Sequence, residues 1–159
     1  MNIYIKAVFA GVIAGMRTFS APAFVSRQLA GAKTDEFSQS PFGFLSSRQT
    51  ANILKIMAAG EMVGDKLPMM PARILPAPLI ARIASGAVCG AALCKSKNER
   101  ADAGAFIGGL AAIISAYGFY YLRRELAENT RLPDVLLGAA EDALAIEIGL
   151  RVIDERKKT

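Results

Sequence analysis

The sequence contains no histidine and only two cysteines among its 159 residues. The absence of histidine removes the commonest metal ligand and the commonest general base near neutral pH. Cys89 and Cys94 are five residues apart in an apolar stretch, which is the wrong spacing for a CxxC redox or zinc pair. We therefore expect no metal, no cofactor and no enzymatic activity, and we expect both cysteines to be small buried residues.

Nucleic-acid motifs are also absent, although the net charge is +5. No block of lysine or arginine is interleaved with aromatic residues, as a nucleic-acid surface would require. The glycine-rich run from Gly104 to Gly109 is not a phosphate loop, because no Lys-Ser/Thr pair follows it. A membrane protein with basic cytoplasmic loops explains the surplus charge more simply, so we expect no nucleic-acid partner.

What the sequence does contain is one long uncharged stretch. The overall hydrophobic share of 53% and the mean hydropathy of +0.33 do not separate a membrane bundle from a soluble helical one. Ala103 to Leu122, however, contains no charged residue. Twenty residues of helix span about 30 Å, the thickness of the hydrocarbon core of a bilayer. Other apolar stretches are interrupted by charges and are ambiguous on hydropathy alone.

The pattern predicts an all-α polytopic transmembrane bundle of about five helices that forms a single domain over residues 1–159. In the first apolar run, Ala21-Pro22-Ala23 resembles a signal-peptide cleavage site, but Arg17 lies before it and argues against cleavage. We expect that run to be a membrane helix bent or ended near Pro22, and residues 34–47 to be a loop. The predicted helices span approximately residues 3–25, 49–67, 79–94, 103–127 and 133–153.

Pairs of glycines four residues apart recur in four of these helices. In water, a glycine inside a helix costs about 1 kcal/mol relative to alanine. In lipid, the same residue allows two helix backbones to approach closely. The recurrence therefore favours a membrane bundle over a soluble one, which remains the other possibility. The glycines predicted to pack helices are Gly11, Gly15, Gly60, Gly64, Gly86, Gly90, Gly104 and Gly108.

Charged residues inside the predicted helices are the candidates for function. A charge at the centre of a membrane costs roughly 2.5–3.5 kcal/mol, so such residues pair or face a wet cavity. Glu61 and Asp65 are four residues apart, which places both carboxylates on one helix face. They are predicted to form a polar centre with Arg17, Glu141 and Asp142. The full set predicted to lie along a substrate or ion pathway is Arg17, Glu61, Asp65, Lys66, Arg73, Arg82, Glu141 and Asp142.

The basic residues predict an orientation. Most of them fall in segments that would share a side with the basic tail Arg156-Lys157-Lys158, which places the C-terminus in the cytoplasm and the N-terminus outside. The helix order also permits two inverted helix pairs around a central helix, because a glycine-rich helix precedes an acidic one in each half.

Several segments together carry a resemblance to a known family, namely 10–17 with Ala21-Pro22, 60–68, Pro71-Ala72-Arg73, 78–82, Ser85-Gly86-Ala87 and Glu141-Asp142-Ala143. They resemble an uncharacterised bacterial membrane protein family known as domain of unknown function 4126. The resemblance covers nearly the whole chain, and the block from Gly60 to Gly90 is its most specific part. It implies a small integral membrane protein with charges at these positions, and it implies no reaction.

Together these features predict a small channel or secondary transporter for an ion or polar solute in the cytoplasmic (inner) membrane. Because five short helices barely enclose a pathway, we expect a homodimer in the lipid bilayer. The alternative is a non-transporting scaffold or partner-binding subunit whose buried charges are structural, since a buried ion pair can fix which helices meet.

Overall fold

The structure is a computed structural model that describes residues 1–30, 35–64, 76–130 and 133–153. Within these ranges the chain is all-α and contains no strand. A 3-10 turn covers Gly43–Ser46, and π-helical geometry covers Gly149–Ile153. The α-helices are α1 (Ile3–Met16), α2 (Ser20–Leu29), α3 (Asp35–Ser38), α4 (Arg48–Gly64), α5 (Pro76–Lys95), α6 (Ala101–Thr130) and α7 (Asp134–Ile148).

The centre of the bundle consists of α1, α5 and α6 packed together through small residues. A Cβ atom added to Gly90 would overlap the carbonyl of Gly104, and one added to Gly11 would overlap the carbonyl of Gly108. An added Cβ would overlap the backbone of a neighbouring helix in the same way at Gly15, Gly86, Gly104 and Gly108. Glycine at these positions therefore allows the three helix backbones to touch.

Two of the glycines predicted to pack helices stand apart. Gly60 is exposed, and an added Cβ would meet nothing within 4 Å, so this residue packs against no other helix among the described residues. The reason is that α4 packs against α2 rather than against the glycine-rich core. Gly64 is the last residue of α4 that the structure describes.

The first predicted helix, residues 3–25, is two helices. α1 ends at Met16, and Arg17 has extended backbone dihedral angles (φ −143°, ψ 117°). α2 begins at Ser20, so Pro22 lies in its first turn. A proline there removes no helical hydrogen bond, because the first backbone N–H groups of a helix have no partner within it. Pro22 therefore helps to begin the second helix instead of bending or ending the first.

α2 returns toward the end of the bundle from which α1 starts. With the Gln28 amide oriented to satisfy its hydrogen bonds, its oxygen accepts from the Lys6 ammonium at 3.1 Å. Its nitrogen donates to the Ile153 carbonyl at 2.7 Å. α1 and α2 thus form a helical hairpin. The start of α1, the end of α2 and Ile153 lie at the same end of the bundle.

This hairpin changes the predicted arrangement of the ends. The Tyr4 hydroxyl donates to Glu99 at 3.0 Å, so the N-terminus lies beside the α5–α6 loop and at the same end as Ile153. The sequence predicted an N-terminus and a C-terminus on opposite sides of a membrane, whereas the structure has the N-terminus and Ile153 at the same end of the bundle. α1 and α6 also run parallel, with Gly11 beside Gly108, so they are not the inverted partners that the helix order permitted.

The segment predicted as a loop, residues 34–47, contains α3 and the 3-10 turn. Phe37 and Leu45 are buried in the core, and the Ser26 hydroxyl of α2 donates to the Leu45 carbonyl at 2.7 Å. The loop prediction relied on the polar composition of this segment. Composition does not indicate that two of its apolar side chains, Phe37 and Leu45, would be buried. The end of the second predicted helix, at residue 67, lies outside the described residues.

Candidate functional site

The candidate site is the break between α1 and α2, which lies deep in the bundle. α1 has 14 residues, so the break is about 21 Å from the start of that helix. At this level Gly15 packs against Ser115, near the midpoint of α6. Two helix ends meet here: the C-terminal carbonyl groups of α1 and the N-terminal N–H groups of α2. These ends carry partial negative and partial positive charge, respectively.

Each helix end is bound by a side chain of opposite charge. The Arg82 guanidinium, from α5, donates to the carbonyls of Gly15 and Met16 at 2.6 and 2.7 Å. The Glu61 carboxylate, from α4, accepts from the backbone N–H groups of Thr18 and Phe19 at 2.7 and 2.8 Å. Hydrogen bonds that involve a charged group contribute about 1.5–3 kcal/mol each. Glu61 and Arg82 therefore hold the broken backbone from two different helices.

The third charged contact joins the break to α7. Arg17 is only 1% exposed, and its Nε and Nη2 atoms both lie 2.6 Å from the Asp142 carboxylate. The neighbouring carboxylate, Glu141, is buried and faces Arg123 at 3.9 Å. The two adjacent acids thus have different partners, because successive residues on a helix point about 100° apart.

Two serine hydroxyls complete the polar layer, and neither was among the site residues predicted from the sequence. Ser85 donates to the Thr18 carbonyl at 2.6 Å, and Ser115 donates to the Val12 carbonyl at 2.7 Å. Ser85 lies three residues after Arg82, so both side chains of α5 face the break. That spacing is the only signal in the sequence that associates Ser85 with the charged residues.

The structure brings together Arg17, Glu61, Arg82 and Asp142 at the break, whereas Glu141 turns toward Arg123. Three other residues predicted for the pathway lie outside the described residues, namely Asp65, Lys66 and Arg73. Within the described ranges, no three side chains of His, Cys, Asp or Glu come together as a metal site would require. Cys89 and Cys94 are both buried in α5.

We compared the chain with models of protein families, with curated proteins and with solved structures, and found no match. The site is therefore interpreted from its own geometry.

Proposed function

We propose that the chain is an integral membrane protein. Two helices, α5 and α6, are long and apolar enough to cross a bilayer. Only 28% of the most apolar stretch of α6 is buried, and Phe106 and Ile114 are 71% and 65% exposed. A core helix of a soluble protein would instead bury such side chains. Lipid around the bundle accounts for large apolar residues outside and for glycine, alanine and charge inside.

Within this class, we propose a channel or secondary transporter for a small ion or polar solute. The observation that carries the proposal is the helix break, whose two ends are covered by Glu61 and Arg82. Discontinuous helices with ends near the midplane form the solute sites of many transporters. In those transporters the helix ends bind ions directly. In this chain the side chains of Glu61 and Arg82 occupy the positions at the two helix ends where an ion would bind. Movement of α4 or α5 would expose the N–H groups or the carbonyls to a solute.

A buried hydroxyl beside the break supports a polar ligand. Ser20, the first residue of α2, is 1% exposed, and its hydroxyl oxygen has no hydrogen-bond partner among the described residues. Buried polar groups in proteins are nearly always hydrogen-bonded. A solute held at the start of α2 would supply the missing bond. We also propose that the protein is a homodimer, that it lies in the inner membrane, and that it is related to the family known as domain of unknown function 4126.

Flux through reconstituted protein tests transport. Glu61→Gln replaces one acceptor oxygen with an amide that cannot accept the N–H of Thr18 or Phe19, and it removes the negative charge. We expect proteoliposomes to move at least one of H⁺, Na⁺, K⁺ or Cl⁻, and we expect Glu61→Gln to abolish that flux. The matched control is Glu128→Gln, because Glu128 forms an exposed pair with Arg124 and should retain full flux. Equal flux in the wild type and in Glu61→Gln would refute this role for Glu61.

A non-transporting scaffold is the second candidate, and the short contacts of the buried charges with protein groups favour it. Arg17, Glu61 and Arg82 all have protein partners at 2.6–2.8 Å, as charges with a purely structural role would have. In this case Glu61→Gln lowers the melting temperature in detergent, and no solute moves through the wild-type protein. Flux by the wild-type protein excludes this candidate.

A further inference from the structure

Two adjoining open pockets lie along the facing sides of α2 and α4. The helices are antiparallel, since Ser20 faces Met62 at one end and Ala30 faces Arg48 at the other. A cavity of about 410 Å³ lies at the Arg48 end, and a groove of about 210 Å³ extends toward Ser20. Arg27 and Lys55 line both of them, so the two adjoin at these side chains.

The larger cavity is basic. Its lining includes the side chains of Arg27, Arg48 and Lys55, together with the amide of Asn52. The described residues that line it include no carboxylate. Two exposed cations, Arg48 and Lys55, and an amide donor around one pocket suit a phosphate group, which accepts several hydrogen bonds and carries negative charge.

The smaller groove is lined mainly by apolar side chains, between Arg27 and Lys55 at one end and Ser20 at the other. On α4 it is lined by Lys55, Ala58, Ala59 and Met62, a spacing of three and four residues that marks one helix face. The facing side of α2 contributes Ala23 and Phe24, and α7 contributes Ile146. Seven residues separate Lys55 from Met62, so the groove is about 10 Å long. It begins at the two cations and runs toward the level of the helix break.

We propose that this site binds an anionic phospholipid. The phosphate lies between Arg48 and Lys55, and one acyl chain enters the groove between α2 and α4. A free phosphate would use the cations but leave the groove empty, and an acidic peptide would have no use for a narrow apolar channel. Basic pockets between membrane helices commonly hold anionic head groups. The inference requires a bilayer around the protein and does not depend on transport.

The depth of the cavity agrees with this ligand. Arg27 is seven residues from Ser20, which places it about 10 Å from the break toward the end that carries the N-terminus. The break is about 21 Å from that end, so the cations lie between the midplane and the surface. Long basic side chains there direct their charge toward the head-group region while their stems cover apolar surface.

Lipid binding is measured on the full chain in neutral detergent, by native mass spectrometry and thermal melting. The probes are phosphatidylglycerol, phosphatidylcholine with the same acyl chains, and glycerol phosphate without chains. We expect phosphatidylglycerol to remain bound and to raise the melting temperature, and the other two to do neither. The double variant Arg48→Gln/Lys55→Gln should weaken phosphatidylglycerol binding about 25-fold, since each cation contributes about 1 kcal/mol of attraction to anionic lipid.

The control variant Lys97→Gln/Arg100→Gln removes two cations from the same end but outside the cavity, and it should bind as the wild type does. Ala59→Phe fills the groove and should also weaken phosphatidylglycerol binding while leaving the cations in place. Equal retention of phosphatidylcholine, or tight binding of glycerol phosphate alone, would overturn the proposal. Unaltered lipid binding in the Arg48/Lys55 variant would overturn it as well. These lipid comparisons on the wild-type protein decide the question even where a variant fails to fold.

Discussion

At the scale of single residues, the buried pair of Arg17 and Asp142 joins the helix break to α7. The guanidinium is 1% exposed, and the carboxylate side chain is 11% exposed. Removing one partner of a buried pair leaves an uncompensated charge and typically costs 3–5 kcal/mol, whereas replacing both by apolar residues is often neutral. The contribution of the pair therefore depends on both members being present.

The variant Arg17→Met should lower the free energy of unfolding in detergent by about 3–5 kcal/mol, because it leaves Asp142 buried without its cation. The double variant Arg17→Met/Asp142→Leu should recover most of that loss. Denaturant titration followed by circular dichroism measures both.

The control for this experiment is Arg124→Met, which breaks an exposed pair with Glu128. It should change the free energy of unfolding by less than about 1 kcal/mol. If Arg17→Met were no more damaging than Arg124→Met, the ion pair would have no role in holding α7 to the break.

The sequence identified the charged residues of the site but not their partners. Arg17, Glu61, Arg82 and Asp142 could be selected because charge inside an apolar helix is costly. Glu61 and Arg82, however, bind backbone groups that are available only because the helix breaks at Arg17. Hydropathy reports no such break, so the sequence alone could not predict that an acid and a base would hold the two helix ends.

At the scale of helices, the contact between α5 and α6 depends on backbone carbonyls that cannot move aside. A Cβ on Gly90 would overlap the carbonyl carbon and oxygen of Gly104. A neighbouring flexible side chain could rotate away, but a helical backbone must shift as a unit. The packing of α5 on α6 therefore requires glycine at this position.

Gly90→Ala should destabilise the protein by about 1–3 kcal/mol, which is the usual cost of overpacking a tight interior. Thermal melting in detergent detects the change. Gly118→Ala is the matched control on α6, because an added Cβ there meets nothing within 4 Å. It should leave the melting temperature unchanged or raise it, since alanine favours a helix over glycine. A Gly90→Ala protein as stable as the wild type would contradict the backbone contact.

Helix positions were easier to predict than helix relationships. The expected helices at residues 103–127 and 133–153 correspond to α6 and to α7 with its π-helical end. The relation between α1 and α2 was missed, because a run of apolar residues looks the same whether the chain continues or turns back. The turn between α1 and α2 requires Glu61 and Arg82, which are distant in sequence. A local hydropathy pattern cannot predict the turn, because it does not include these residues.

At the scale of the whole molecule, both described ends of the chain lie at one end of the bundle together with the α5–α6 loop. The contact of Tyr4 with Glu99 and the contact of Gln28 with Ile153 establish this arrangement. In the proposed bilayer, these segments share one side of the membrane.

Thiol labelling with a membrane-impermeant reagent tests this arrangement in vesicles of known orientation. A cysteine introduced at Lys97 and a reporter fused to the N-terminus should be reached from one side, and a cysteine at Asn129 from the other. Cys89 and Cys94 are buried and should remain unlabelled.

Retention of the protein in membranes after a carbonate wash is the control for that experiment, because it shows that the labelled protein is inserted. Access to Lys97 and the N-terminal reporter from opposite sides would contradict the hairpin. Release by carbonate would contradict membrane insertion itself.

The hairpin also has a consequence for biogenesis. A 14-residue helix covers about 21 Å and is too short to traverse a hydrocarbon core of about 30 Å. At the break between α1 and α2, the backbone carbonyls and N–H groups are hydrogen-bonded by Arg82 and Glu61, respectively. Both of these residues leave the ribosome after the hairpin. In the proposed bilayer, the α1–α2 hairpin therefore reaches its final depth only after α4 and α5 have been synthesised, although it is translated before both of them.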